Sequence, residues 1–501
     1  MLMTNYTRKA VMGFGIIFIM TIIGAVAGYL FRVVLAKNLT VSDYGLFFAI
    51  YSFMFMAFIL KDLGLGQATS KFIPEAIAAN DFRKVRFIVI FSFLVTISIS
   101  IILLVLTVLG SHIIANYYLK MPLAAPLVRL FGLIFFFFAI EALIVYVISA
   151  FQKHKIYAFF QVFRQVLALI FLFLFFMFSV KIEYALLAYL LTSIVTVILF
   201  IFMSRRIMPE FFNSKYGLDK NLSKNMLKFG VSTLLISIGG LVLQSADSVM
   251  LTIFKTTQDV GIYNAAVPIA NLLLYIGSAL SVVLIPLTSE LMIKKMSGTI
   301  KIGIMSLYKY SFMILLPLVC IGFMYAGGII TILFGSAYVS GALALQILLF
   351  GTTVYLLAQM NFSILSGIGE PQITARILII GTVVNILLNL YLIPKWGIAG
   401  AALTTSASYL IMAIMSTLYV QRKLRLKFPL WHWVKSLVIS LIMIGTISYL
   451  KHVLKLNLYL EIAVLLVIGA VIYIALSFIL SQFNWNEIKT IINLIKSNKS
   501  E

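Results

Sequence analysis

Charge of one sign is what this chain has least of. Only 15 of its 501 residues are Asp or Glu, against 38 Lys and Arg, and charged residues together make up 11%. A soluble domain of this length carries far more charge on its surface. The lone cysteine, Cys320, stands inside an apolar run, which excludes a disulfide framework and a thiolate metal site. Four histidines, His112, His154, His432 and His452, fall in loops or at span ends without metal-ligand spacing. There is no phosphate-cradling glycine loop, nucleophile elbow or glycosidase-type carboxylate pair. The chain is therefore expected not to be an enzyme, and not an ATPase by itself.

What fills the chain instead is apolar. It is 63% hydrophobic with a mean hydropathy of +1.12, values of a polytopic membrane protein. About twenty apolar residues span a bilayer as helix, and that ruler gives about fourteen spans. They lie near 11–35, 44–63, 87–109, 127–151, 156–179, 184–203, 229–254, 262–289, 307–330, 341–366, 374–393, 398–420, 433–450 and 458–480. No connection between them is long enough to hold a soluble domain. The fold class is an all-α polytopic membrane protein.

The formal net charge of +23 suggests nucleic acid until the basic residues are placed. With the N-terminus inside, clusters such as Arg83, Lys84, Arg86, then Arg205, Arg206, then Arg422, Lys423, Arg425 all fall on inner loops. Lys and Arg on inner segments outnumber those on outer ones roughly four to one, the positive-inside pattern. Both termini are expected in the cytoplasm of a cell-membrane protein with no nucleic-acid partner. The basic start before Val11 reads as an uncleaved first span. At the other end Ile488, Ile491, Ile492 and Ile495 share one face of an interfacial amphipathic helix expected over 481–501.

A weak repeat recurs at an offset of about 215, the length of six spans on the same ruler. Lys37-x5-Asp43-Tyr44-Gly45-Leu46-Phe47 answers to Lys255-x3-Asp259-Val260-Gly261-Ile262-Tyr263. Lys181-x3-Ala185-x2-Ala188 answers to Lys395-x3-Ala399-x2-Ala402. An even number of spans keeps the copies in one orientation, related by an axis along the membrane normal, with any substrate path between them. The expected organisation is an N-lobe over 1–203 (spans 1–6), a basic linker over 204–228 and a C-lobe over 229–420 (spans 7–12). Two added spans over 421–480 follow.

Ionisable groups inside spans are few and therefore informative. Glu141 in span four and Arg164 in span five lie at matching depth from the inner side, so adjacent antiparallel helices would pair them. They form either a structural ion pair or part of a cavity lining. Arg32 and Arg129, near outer ends of spans one and four, either snorkel to the interface or offer positive charge to an anionic substrate. Asp247, in the outer half of span seven, needs a cation, a proton or polar neighbours. Asn385, Asn389 and Thr405 of spans eleven and twelve add neutral oxygens. This set suits Na+ or H+ as a coupling ion, or an internally hydrogen-bonded cluster, and it names no other metal or cofactor. Asn385 and Asn389 share a helix face that breaks at Pro394 and turns through Lys395-Trp396-Gly397. It restarts on Ala399, Gly400, Ala401 and Ala402. Gly24-x3-Gly28 and the run Phe135 to Phe138 read as packing.

Longer motifs carry a resemblance. LAKNLTVSDYGLFFAIYSF over Leu35 to Phe53 and DLGLGQATSKFIPE over Asp62 to Glu75 resemble the opening of the O-antigen-type oligosaccharide flippases of polysaccharide biosynthesis. ADSVMLTIFKTTQDVGIYNAA from Ala246, LFGSAY from Leu333 and the stretch from Ser366 to Tyr409 continue it in order. The resemblance implies the multidrug/oligosaccharidyl-lipid/polysaccharide exporter fold, two six-helix lobes around a central cavity. It implies translocation of a polyprenyl-linked oligosaccharide to the outer leaflet by alternating access. The partners would be that lipid, membrane lipids and other glycan-assembly membrane proteins. The lipid II flippases' sodium pattern falls on Asp247, Asn385, Asn389 and Thr405, with Asn389 where that pattern has a carboxylate. Cationic cavities of the family point to Arg32 as a pyrophosphate contact, then Arg129 and Arg164. A cation-coupled multidrug antiporter on the same fold is the alternative. It would want acidic cavity groups, whereas the N-lobe spans hold three arginines against one glutamate.

Overall fold

A computed structural model describes residue 20 and residues 22–480, apart from 213, 214, 216, 294–296, 427 and 455–457. The expected C-terminal amphipathic helix lies outside the described residues, as does most of the first half of span one. Every regular element among the described residues is a helix. Hydrocarbon explains this, since a backbone crossing it must satisfy its own N–H and C=O groups. Eleven of the described helices are long and apolar enough to cross a membrane. One of these, Pro371–Leu424, contains both expected spans eleven and twelve. Expected span one falls on a helix over 22–38 and span fourteen on Leu458–Ile479. The fourteen-span reading therefore holds, as a multi-pass all-helical membrane protein.

The chain packs as two compact units, residues 1–261 and 262–501. In the first, α1 (22–38), α2 (Val41–Ala57), α3 (Leu65–Ala78) and α4 (Phe82–Ile113) precede α5 (Ala125–Ala150), α6 (His154–Phe176), α7 (Ile182–Ile207), a short α8 (Pro209–Phe212) and α9 (Lys220–Phe254). The unit ends in the first turn of α10 (Thr257–Asn271). α5 is the hub: it packs on α4, α3 and α7, and more than half of its central stretch is buried. Its hydrophobic residues show no preferred face, because helices cover it on several sides. Gly24 and Gly28 of α1 lie against Gln161, Val162 and Gln165 of α6, the close approach expected of that pair.

Between α2 and α3 the chain unwinds. A 3-10 turn over Phe58–Leu60 leads to Leu63 and Gly64, both with positive φ (48° and 73°). The Asp62 carboxylate accepts from the backbone N–H of Gly64 (3.1 Å) and Gly66 (3.2 Å), holding the turn. A Cβ on Gly64 would lie 2.0 Å from the Gly230 carbonyl oxygen of α9, so glycine is required there for the backbones to meet.

The repeat has a physical counterpart at the starts of α2 and α10. Thr40 Oγ1 accepts from the Asp43 N–H (3.1 Å) and donates to the Asp43 carboxylate (2.7 Å). Thr256 and Asp259 make the same reciprocal pair (3.2 and 2.7 Å). These are N-terminal caps that satisfy otherwise orphaned donors. The two capped turns cross each other. Ser42 and Thr257 hydroxyls meet at 2.9 Å. A Cβ on Gly45 would fall 1.7 Å from the Thr257 carbonyl oxygen, and one on Gly261 2.4 Å from that of Val41.

In the second unit, α11 (Leu274–Ile293), α12 (Ser297–Met324) and α13 (Ala326–Phe334) lead to α14 (Ala342–Gly367). α15 (Pro371–Leu424) contains a non-helical residue, Gly397 (φ 54°, ψ −128°), where it folds back. The two halves pack closely: a Cβ on Gly400 would meet the Leu392 carbonyl oxygen at 2.4 Å, and one on Gly381 the Met412 side chain at 2.1 Å. Lys423 at the far end reaches Glu370 just before the start (2.6 Å), closing the hairpin. α16 (Leu430–Leu454) and α17 (Leu458–Ile479) lean on α12, where the Tyr473 hydroxyl donates to the Met313 carbonyl (2.7 Å).

Gly45→Ala and Gly261→Ala are each expected to cost about 1–3 kcal/mol by forcing backbones apart. Gly110→Ala has open space around its Cβ and should cost nothing. Thermal unfolding of the detergent-solubilised protein checks this; equal midpoints for all three would refute the crossing.

Candidate functional site

The first unit encloses a polar site among otherwise apolar helices. Glu141, in the middle of α5, is 3% exposed. An isolated carboxylate there is expensive, so its partners define the site. Ser193 Oγ of α7 donates to Glu141 Oε2 at 3.2 Å. Arg164 Nη1 of α6 stands 3.8 Å from the same oxygen, an ion pair too long for a hydrogen bond. The neighbouring Thr196 hydroxyl gives its proton to the Thr192 carbonyl (2.8 Å). Glu141 Oε1 has no hydrogen-bond partner among the described residues.

Two cavities meet at this pair. The larger, about 380 Å³, is lined among others by Phe138, Glu141, Tyr146, Tyr157, Gln161 and Arg164. The smaller, about 70 Å³, is bordered by Tyr51, Phe135, Phe138, Arg164, Gln165 and Tyr189. Arg164 and Phe138 stand in both, and the guanidinium lies 5.2 Å from the Phe138 ring centroid. Lys61, in the unwound turn after α2, also reaches that ring (5.6 Å). The desolvated ring face attracts both cations. Phe138 is therefore more than the packing bulk expected of its run. Sequence reasoning missed Lys61 as a neighbour of this site. The signal that would have placed it was the adjacent Asp62-x-Gly64-x-Gly66, a turn signature inside an apolar stretch.

The other arginines sit apart from this cluster. Arg129, at the start of α5, is exposed and bonded to the end of α4, through Ser111 Oγ (2.9 Å) and His112 Nε2 (2.7 Å). Arg32 of α1 is half-buried with its guanidinium 4.5 Å over the Phe48 ring of α2. Asp247 lies on α9 in the first unit, 7% exposed.

Asn385, Asn389 and Thr405 lie together in the second unit. Asn389 Nδ2 donates to Asn385 Oδ1 (2.9 Å), and Asn385 Nδ2 donates to Thr405 Oγ1 (3.2 Å). Thr404, absent from the expected set, donates to Asn389 Oδ1. Both amide oxygens thus already accept a hydrogen bond within the α15 hairpin, and both side chains are fully buried. Among the described residues no group of three or more His, Cys, Asp or Glu side chains is placed to hold a metal ion.

The family model described as polysaccharide biosynthesis protein matches residues 10–292, more than half the chain. The chain belongs to that family. It is 30% identical over 504 residues to an uncharacterized membrane protein of Methanocaldococcus jannaschii, covering 98% of this chain and 99% of that one. It is 24% identical over 273 residues to a probable low-salt glycan biosynthesis flippase of Haloferax volcanii, covering 54% of this chain and 58% of that one. Among solved structures, a lipid II flippase in an inward closed conformation superposes with a TM-score of 0.77 at 17% identity, over 93% of this chain and 98% of that one. An inward-facing multidrug transporter of the MATE family gives 0.66 at 16%, over 80% and 94%. These likenesses establish the fold.

Asn389→Leu would strip a donor from Asn385 and an acceptor from Thr404 inside the hairpin. Thr404 keeps the Ala401 carbonyl as acceptor (2.8 Å), so the expected cost is about 1–3 kcal/mol for the Asn385 oxygen that loses its Asn389 donor, read as a lowered unfolding midpoint. An unchanged midpoint would show the amide ladder to be dispensable for stability.

Proposed function

We propose that this member of the polysaccharide biosynthesis family carries a polyprenyl-(pyro)phosphate-linked oligosaccharide from the inner to the outer leaflet of the cell membrane by alternating access. The observation that carries the reading is the cavity lined by Glu141 and Arg164 among membrane-spanning helices. A half-buried arginine whose charged partner among the described residues stands 3.8 Å away keeps N–H donors for a polar or anionic headgroup. The name of the Haloferax volcanii relative, a probable glycan biosynthesis flippase, supports the substrate class. The positive-inside pattern supports cytoplasmic termini. In this reading Arg164 and Glu141 contact the headgroup, Arg32 adds positive charge from α1, and Arg129 is the weakest contact because Ser111 and His112 hold it.

A cation-coupled multidrug antiporter shares the fold. Three arginines against one glutamate in the expected spans of residues 1–203 weigh against a cationic cargo. For energy coupling, Asp247 is assigned the Na+ or H+ role, as a buried carboxylate on a spanning helix. The amide oxygens of α15 already accept hydrogen bonds within their own hairpin.

Flipping of a labelled dolichyl- or undecaprenyl-linked oligosaccharide in proteoliposomes, with and without a sodium gradient, tests the proposal. Wild type should flip, and Arg164→Ala should lose about ten- to hundredfold, the worth of a charge-assisted hydrogen bond. Asp247→Asn should abolish sodium stimulation. Efflux of cationic dyes without glycan flipping would replace the reading with the antiporter.

A further inference from the structure

The donor and acceptor inventory of the larger cavity describes its ligand more narrowly than a charged headgroup. Glu141 Oε1 is buried and lacks a donor among the described residues, so a ligand lodged against it must supply an O–H or N–H. Phosphate and pyrophosphate oxygens are acceptors and carry negative charge, and would meet the carboxylate unfavourably. Beside that acceptor, Arg164 presents guanidinium donors, the Tyr146, Tyr157 and Ser149 hydroxyls and the Gln161 amide add groups of either kind, and Phe138 and Phe160 supply flat apolar walls. Alternating acceptors and donors around aromatic faces suit a ring that bears hydroxyls at its rim and C–H groups on its faces. The volume of about 380 Å³ is in the size range of small-molecule sites.

From this we infer that the cavity of the first unit is a pyranose subsite. Glu141 accepts from a sugar hydroxyl, Arg164 donates to an adjacent hydroxyl or ring oxygen, and Phe138 stacks on the sugar face. The inference rests on the glycan reading of the cargo and adds to it where a sugar sits. The charged link to the lipid lies outside this cavity, because Glu141 excludes it. Ser193 is a positioning residue: its hydroxyl holds Glu141 Oε2.

The test needs no transport. Cys320 is the only native cysteine, so Ser149→Cys in a Cys320→Ser background gives one reactive thiol on the cavity wall. Its rate of maleimide modification is measured in the full-length detergent-solubilised chain with methyl glycosides of glucose, N-acetylglucosamine and glucuronic acid, and separately with inorganic pyrophosphate. At saturation a bound glycoside should slow modification about tenfold, in proportion to the occupied fraction. Adding Glu141→Ala should remove that protection, while Glu141→Gln, which keeps an acceptor oxygen, should retain part of it. Protection by pyrophosphate and by none of the glycosides would overturn the proposal, as would protection by neither. Glycoside protection in a chain that flips no lipid-linked glycan would keep the subsite and defeat the flippase reading. Flipping without glycoside protection would do the reverse.

Discussion

Hydrocarbon offers no hydrogen bonds, and nearly every specific feature of this chain answers that constraint. Spanning helices satisfy their own backbones, so the demand falls on side chains and on the few places where a helix stops. Inside α15 the demand is met by a ladder of amides and hydroxyls, Asn385, Asn389, Thr404 and Thr405, each serving the next. A third amide, Asn361 of α14, is satisfied in the same way, by Tyr308, Ser416 and Thr417. In the turn after α2, Asp62 performs the task by accepting from two backbone N–H groups. Glu141 alone among these keeps an oxygen unanswered by the described residues, and it borders a cavity.

The same economy appears in backbone contacts. Lipid gives helices no hydrophobic reason to associate, so close approach through small residues supplies the van der Waals energy. Gly45 against Thr257, Gly64 against Gly230 and Gly400 against Leu392 are three such approaches, each too close for a Cβ. The first joins repeat-related turns, each with its own Thr-x-x-Asp cap. Duplicated sequence thus places the same cap and the same glycine on both sides of one crossing.

Much of the architecture was legible in the residues because a span is a one-dimensional object. Length and hydropathy suffice to mark it, although α9 and α12 start nine or ten residues before the expected spans and expected span eight is broken between α10 and α11. The fold-back at Gly397 was legible for an equally local reason, a proline followed by a residue type that tolerates positive φ. The meeting of Glu141 and Arg164 followed from matching depth in antiparallel neighbours. The unwound turn at Lys61 to Gly64 was harder, since apolar residues run through it and hide the break. The part of Phe138 was hidden as well, because a phenylalanine that packs and one that lines a cavity look alike in sequence.

By itself the sequence determined the class, the number and order of the spans and the depth of each charge, all quantities that accumulate along the chain. Only the tertiary structure decided most of the side-chain pairings and the distances within them. It gave Asn389 to Thr404, Arg129 to His112, and Arg164 to Glu141 at a distance that leaves donors and an acceptor unused. The reason is rotational. A helix apolar on every side has no amphipathic face to fix its orientation about its own axis. That angle is set by packing against helices distant in sequence, and it decides whether a polar side chain finds a partner or a cavity.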